Sequence, residues 1–224
     1  MARSFQPERD RMVERQIAGR GIADPHLLRA MRTVPRERFV EHRLAEHAYD
    51  DAPLPIAAEQ TISQPYVVAW MIEAAAVAPG DRVLEVGAGS GYAAAVLGQV
   101  AGSVHAIERH ARLTREARER LDGLACANVH LRTGDGTLGW PEAAPFDAIL
   151  VAAAGPQVPP PLKAQLRVGG RLVMPLDLGG DGGPQRLLRV TRTGDDAWEQ
   201  ETLGHVAFVP LIGRHGWAQD GAPH

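Results

Sequence analysis

The sequence has almost no cysteine: among 224 residues only Cys126 carries a thiol. One thiol excludes an internal disulfide and a cysteine zinc cluster, and it fits a reducing, cytoplasmic setting. No run of lysines and arginines offers a phosphate-tracking face, and the net charge is −3. Nucleic acid is therefore not an expected partner. Met1 to Gln16 is charged and lacks an apolar core, so it does not read as a secretory signal. The longest nearly apolar run, Val67 to Ala78, contains Glu73 and is too short to span a bilayer. No repeat at a solenoid period is present. Hydrophobic content is 45% and charged content 23%, ordinary values for a soluble globular chain. The length suits one large domain, or a domain with an extension.

Met12, Val13, Gln16 and Ile17 share one helical face. Asp24-Pro25 predicts an N-cap followed by proline at the first helical position, with Leu27, Leu28 and Met31 continuing that helix and Pro35 ending it. This opening segment reads as a helical extension, too short to bury a core alone. Tyr49 to Gln64 predicts a functional loop, with clustered turn residues, two prolines and no sustained period. Gln64-Pro65 then opens a helix reaching about Ala78, and Pro79-Gly80-Asp81 is a turn.

From there strand and helix patterns alternate. Strands are predicted at Arg82–Val86, Ser103–Ile107, Asn128–Arg132, Phe146–Val151 and Gly170–Met174. Helices are predicted at Tyr92–Val100, His110–Leu121 and Pro159–Leu166. The rhythm predicts an α/β, Rossmann-like, doubly wound and mainly parallel sheet. Gly179 to Pro184 reads as a flexible connection, Leu187–Thr191 and Trp198–Phe208 as a hairpin-like pair of late strands, and residues 218–224 as a flexible tail. The domain expectation is one unit over 1–217. Within it, 1–64 form the helical extension and acceptor-side loop, and 65–217 the core.

Between the first core strand and its helix lies Leu84-Glu85-Val86-Gly87-Ala88-Gly89-Ser90-Gly91-Tyr92. Glycines at alternate positions let bare backbone approach a ligand at a helix N-terminus. A dinucleotide fingerprint needs G-x-G-x-x-G, and here the third glycine arrives one residue early. The spacing points to S-adenosyl-L-methionine, which has no diphosphate to cradle. Ligands of such a sheet sit beyond the carboxyl ends of the strands. Glu85, Glu108 and Asp135 fall there. Glu108 is placed to accept both ribose hydroxyl protons, and Asp135, beside Gly136, a hydrogen bond from the adenine amino group. The turn from Gly87 through Ala88, Gly89 and Ser90 to Gly91 admits the amino-acid end. For each acid alone, a solvated strand end is the competing reading. His42 and His47 are five residues apart and match no metal motif, so no metal is expected.

Two further stretches carry a family resemblance. Ala48-Tyr49-Asp50-Asp51-Ala52-Pro53-Leu54-Pro55-Ile56, followed by Gln60-Thr61-Ile62-Ser63-Gln64-Pro65, resembles the signature of protein-L-isoaspartate O-methyltransferases. Val34-Pro35-Arg36-Glu37-Arg38-Phe39-Val40, Gly134-Asp135-Gly136-Thr137 and Phe208-Val209-Pro210-Leu211-Ile212-Gly213 extend it from about Asp10 to Trp217. The resemblance implies methyl transfer from S-adenosyl-L-methionine to the α-carboxylate of an L-isoaspartyl residue in damaged protein. The ester then collapses to a succinimide that hydrolyses partly to aspartate, and S-adenosyl-L-homocysteine is the other product. The chain is expected to act as a monomer on isoaspartyl proteins or peptides, without nucleic acid or membrane partners.

The resemblance also implies roles. Ser63 is the active-site serine, steadying the acceptor carboxylate; capping of the helix near Pro65 is its alternative role. Thr61 and Ile62 line the space between cofactor and acceptor, and Ile56, Val209 and Leu211 are substrate contacts. The family pattern I-G-x-G-Q-T-I-S is altered here to Ile56-Ala57-Ala58-Glu59-Gln60. Alanine and glutamate do not readily adopt positive φ, so a different loop path is expected. A carboxylate about 4 Å from an acceptor carboxylate would repel it by roughly 4 kcal/mol at an effective dielectric near 20. Glu59 is therefore expected to point away. An altered acceptor, such as an aspartyl side chain in one dedicated peptide, is the alternative activity, and cofactor binding without turnover another.

Overall fold

The computed structural model describes residues 4–177 and 185–218. The expected Gly179–Pro184 connection lies outside the described residues, as does nearly all of the expected tail. Strands β3 (Arg82–Val86), β4 (Ser103–Glu108), β5 (Val129–Thr133), β6 (Phe146–Val151) and β7 (Leu166–Leu176) pair in parallel. Strands β8 (Gln185–Gly194) and β9 (Ala197–Val206) follow as an antiparallel meander, giving the order β5-β4-β3-β6-β7-β8-β9.

The strands are apolar almost throughout because both faces are covered. Val83, Ala148, Leu150 and Val173 belong to one buried cluster, and their chain neighbours Leu84, Ile149, Val151 and Leu172 to another. That two-residue alternation assigns one core to each side of the sheet. Helices α4 (Tyr92–Gly98) and α5 (Ala111–Asp122) supply Ala95, Leu97, Ala117 and Leu121 to the first core. The short α6 (Pro160–Ala164) supplies Leu162 to the second.

The opening segment does not stand apart. Helix α1 (Gln6–Arg11) runs into a π-helical stretch, Met12–Ile17, and then α2 (Pro25–Thr33). Met12, Val13, Ile17, Leu27 and Met31 enter the first core beside Ala69 and Ile72 of α3 (Pro65–Ala74). Asp24 caps α2, its Oδ1 accepting from Leu27 N at 2.7 Å. Pro35 disfavours helical geometry at Val34, and α2 stops one residue before it. Helix α3 ends at Ala74, short of the expected Ala78, because Ala76 turns left-handed at φ 48°. The expected loop before α3 contains a two-rung hairpin, β1 (Leu54–Pro55) against β2 (Thr61–Ile62).

Candidate active site

Between β3 and β6 the connections leave in opposite directions, and such a switch point opens a crevice at the strand ends. The glycine turn fills it. Gly87, Gly89 and Gly91 have φ of 90°, 54° and 89°, a region L side chains rarely enter. The amides of Gly87 and Ala88 both donate to Ile107 O of β4, at 2.8 and 3.2 Å. The turn is thereby pinned to the neighbouring strand, with its open side facing a pocket.

Glu108 ends β4 and is 4% exposed. Its Oε2 accepts from Gly89 N and its Oε1 from His110 N, each at 2.9 Å. Two backbone donors fix the carboxylate plane and leave one lone pair on each oxygen. That geometry suits a vicinal diol. Glu85 lies on β3, 2% exposed, and its Oε2 has no hydrogen-bond partner among the described residues. Burial, reinforced by the charge of Glu108, raises its carboxyl to about 8.

Asp135 is occupied differently. Its Oδ1 accepts from Thr137 N at 2.9 Å and Thr137 Oγ1 at 2.7 Å, and its Oδ2 from Arg214 N at 2.8 Å. It caps the turn Gly136–Leu138 and ties down the C-terminal segment. One lone pair of Oδ2 remains for another donor. Asp135 does not line the pocket, whereas Gly136 does. A side chain at Gly136 would strike Val86 Cγ1.

The acceptor side closes over the same pocket. Thr61 and Ile62 of β2 and Ser63 just after it line one side, and Val209, Pro210 and Leu211 line it from the late segment. Leu211 N donates to Ala154 O, and Ala154 N to Val209 O, both at 2.8 Å, so that segment is stitched to the end of β6. The N-cap of α3 is Gln64, and no side chain caps this helix, so Ser63 is not its cap. Ile56 packs beneath the glycine turn, its Cδ1 3.5 Å from where a Gly89 Cβ would lie.

One expectation needs correction. The altered loop does not abandon positive φ: Ala58 and Glu59 adopt 57° and 58°. Two backbone bonds, Ile56 N to Gln60 O at 2.9 Å and Gln60 N to Ala57 O at 3.3 Å, close the turn and impose the angle. Glu59 is exposed and outside the pocket lining. Gly91 also lies outside that lining; a Cβ there would sit 3.1 Å from Ala117 Cβ, so it serves the packing of α4 on α5. Ser90, Gly87, Ala88 and Gly89 do line the pocket. Sequence reasoning passed over Val68, Tyr92, Arg109 and Ala152, which also line it. Arg109 and Ala152 follow the last residues of β4 and β6, a signal within reach; Val68 and Tyr92 reach the pocket only through tertiary packing.

The glycine turn, the fixed Glu108 carboxylate and the buried Glu85 Oε2, without a partner among the described residues, fit S-adenosyl-L-methionine, and the sheet and site define a Rossmann-like methyltransferase dependent on it. The chain belongs to the protein-L-isoaspartate(D-aspartate) O-methyltransferase family, whose model matches residues 7–216. It is 58% identical over 208 residues to a protein-L-isoaspartate O-methyltransferase of Rhodopseudomonas palustris, covering 93% of this chain and 94% of the relative. A second, from Methylorubrum extorquens, is 61% identical over 204 residues, covering 91% and 88%. A solved protein-L-isoaspartate O-methyltransferase superposes with a TM-score of 0.82 at 29% identity, over 92% of this chain and 66% of that one. A Plasmodium falciparum beta-aspartate methyltransferase in complex with S-adenosyl-L-homocysteine shares the fold, with a TM-score of 0.78 at 24% identity over 91% of this chain and 98% of that one.

Proposed function

We propose that this chain methylates the α-carboxylate of L-isoaspartyl residues in damaged proteins and peptides, using S-adenosyl-L-methionine. The observation that carries the reading is a single pocket with the glycine turn and Glu108 on one wall and Ile62–Ser63 with Val209–Leu211 on the other. When bound, S-adenosyl-L-methionine supplies an activated methyl group on a sulfonium sulfur and leaves as S-adenosyl-L-homocysteine. Glu108 takes the ribose hydroxyls, Gly87 to Ser90 the amino-acid end, and Gly136 with the remaining Asp135 lone pair the adenine edge. Glu85 faces the cationic end of the cofactor.

The acceptor is a carboxylate, already nucleophilic at neutral pH, so no side chain must remove a proton. The work left to the protein is alignment and exclusion of water. Ser63 donates its hydroxyl to the acceptor carboxylate, while Thr61, Ile62, Val209 and Leu211 wall the reacting atoms from solvent, with Ile56 supporting the turn. Glu59, exposed and outside the lining, removes the reason to expect a different acceptor.

The same reading has residues 1–217 act as one unit, a cytoplasmic monomer without nucleic-acid or membrane partners. The solitary thiol supports the reducing compartment. Among the described residues no helix is long and apolar enough to cross a membrane. A labelled-methyl assay on matched peptides containing L-isoaspartate, L-aspartate or D-aspartate tests the reading. Base-labile label on the isoaspartyl peptide is expected. Label confined to the L-aspartyl peptide, or absent from all three, contradicts it.

A further inference from the structure

Arg36 opens a 3₁₀ turn, Arg36–Phe39, and is fully buried at 0% exposure. Its Nε donates to Ala48 O at 2.7 Å and its Nη2 to Ser63 O at 2.9 Å. Its guanidinium carbon lies 4.8 Å from the centre of the Tyr92 ring. Tyr92 is the first residue of α4, directly after the glycine turn, and lines the pocket. One side chain therefore touches both walls: the acceptor wall through the Ser63 carbonyl, the cofactor wall through the Tyr92 face.

The cost of this arrangement is large. Burying a cation costs several kcal/mol, and hydrogen bonds to main-chain carbonyls offset it only in part. Burial lowers the Arg36 pKa to about 10, which still leaves it charged at neutral pH. Its Nη1 has no partner among the described residues. The far end of the contact is itself braced: Gln16 Nε2 donates to Tyr49 O at 3.0 Å and Arg9 Nε to Tyr49 Oη at 2.9 Å, next to Ala48. The opening helical segment thus bears on Ser63 through Ala48 and Arg36.

We propose that Arg36 is a positioning residue for methyl transfer, holding the Ile62–Ser63 wall in register with the glycine turn. The proposal rests on the reading of the pocket given above. In-line transfer tolerates little misalignment; displacement by about 1 Å can cost on the order of a hundredfold in rate. Only a planar fork can reach two carbonyls and lie against a ring at once; lysine places one compact charge and loses one contact.

Arg36→Lys and Arg36→Met test it, with turnover expressed per S-adenosylhomocysteine-binding site measured by calorimetry. That normalisation removes unfolded protein from the comparison. In Arg36→Lys, kcat for an isoaspartyl peptide is expected to fall at least about tenfold, with peptide KM and S-adenosylhomocysteine affinity each within about threefold of wild type. Arg36→Met is expected to fall further; should it not fold, the lysine variant decides. A kcat per binding site within twofold of wild type in Arg36→Lys overturns the proposal, and so does a loss of cofactor affinity that accounts for the whole drop. Absence of turnover in the wild type sinks the reading of the site itself, whereas normal wild-type turnover with an unaffected lysine variant sinks this proposal alone.

Discussion

Glu85 and Glu108 lie on the adjacent strands β3 and β4, and the charge of Glu108 adds to burial in raising the Glu85 carboxyl to about 8. In the cofactor-free protein Glu85 is thus protonated at neutral pH. In the unfolded chain it titrates near its ordinary value of 4.5. Between those values the folded state binds more protons, so this group's contribution to stability is complete below about 4.5 and is lost as pH rises towards 8. Denaturant unfolding of the cofactor-free protein at pH 6 and 8 checks this. Wild type is expected to lose at least about 1 kcal/mol more than Glu85→Gln over that interval. With Glu85 facing the cationic end of the cofactor as proposed, S-adenosyl-L-methionine binding is expected to tighten as pH rises, and Glu85→Gln to flatten that slope.

Glu108 has a different task. Its oxygens hold Gly89 N and His110 N while keeping lone pairs towards the pocket. Glu108→Gln turns one oxygen into a donor, which must face an amide or the ribose. Hydrogen bonds to a charged acceptor contribute about 1.5–3 kcal/mol each. Calorimetry with S-adenosylhomocysteine is expected to show a loss of about thirtyfold or more. An affinity unchanged within threefold would place the ribose elsewhere.

Gly91 separates packing from binding. Alanine there combines an unfavourable backbone angle, φ 89°, with a Cβ only 3.1 Å from Ala117 Cβ. Gly91→Ala is expected to destabilise the protein by about 2 kcal/mol. S-adenosylhomocysteine affinity of the folded protein is expected to change less than threefold. A large affinity loss at unchanged stability would return Gly91 to the cofactor.

Glu59 is expected to be dispensable for chemistry. Its left-handed angle costs a non-glycine residue about 1–2 kcal/mol, while glycine loses roughly 0.4–1 kcal/mol through unfolded-state entropy. Glu59→Gly is therefore expected to be neutral or stabilising by up to about 1 kcal/mol, with peptide KM within twofold. A variant that lost cofactor or peptide binding would show that Glu59 faces the site.

Local rules read best where local energetics decide. Strands β3 and β6 fall where apolar runs bounded by turn residues place them, and the Asp24 cap is present as expected. Strand β7 is eleven residues long where five were expected, because Gly169 at φ 81° permits an irregularity that keeps Leu166 paired with Phe146. The β1–β2 hairpin has two rungs and no strand pattern, so only pairing across the loop reveals it. In the site, the positions of the glycine turn and Glu108 are legible because each falls at a strand end, after β3 and at the end of β4. The third bond of Asp135, from Arg214 N, joins positions 79 residues apart. Nothing in the sequence marks Arg36 as buried; only the carbonyls of Ala48 and Ser63, supplied by the fold, explain it.

The most direct measurement is a crystal structure with S-adenosylhomocysteine and an isoaspartyl peptide bound together. The expected result has the ribose hydroxyls on Glu108 and the isoaspartyl α-carboxylate beside Ser63, beneath Val209 and Leu211. A nucleoside away from Glu108, or a peptide carboxylate outside the Ser63 wall, would contradict the assignment of this pocket to carboxylate methylation.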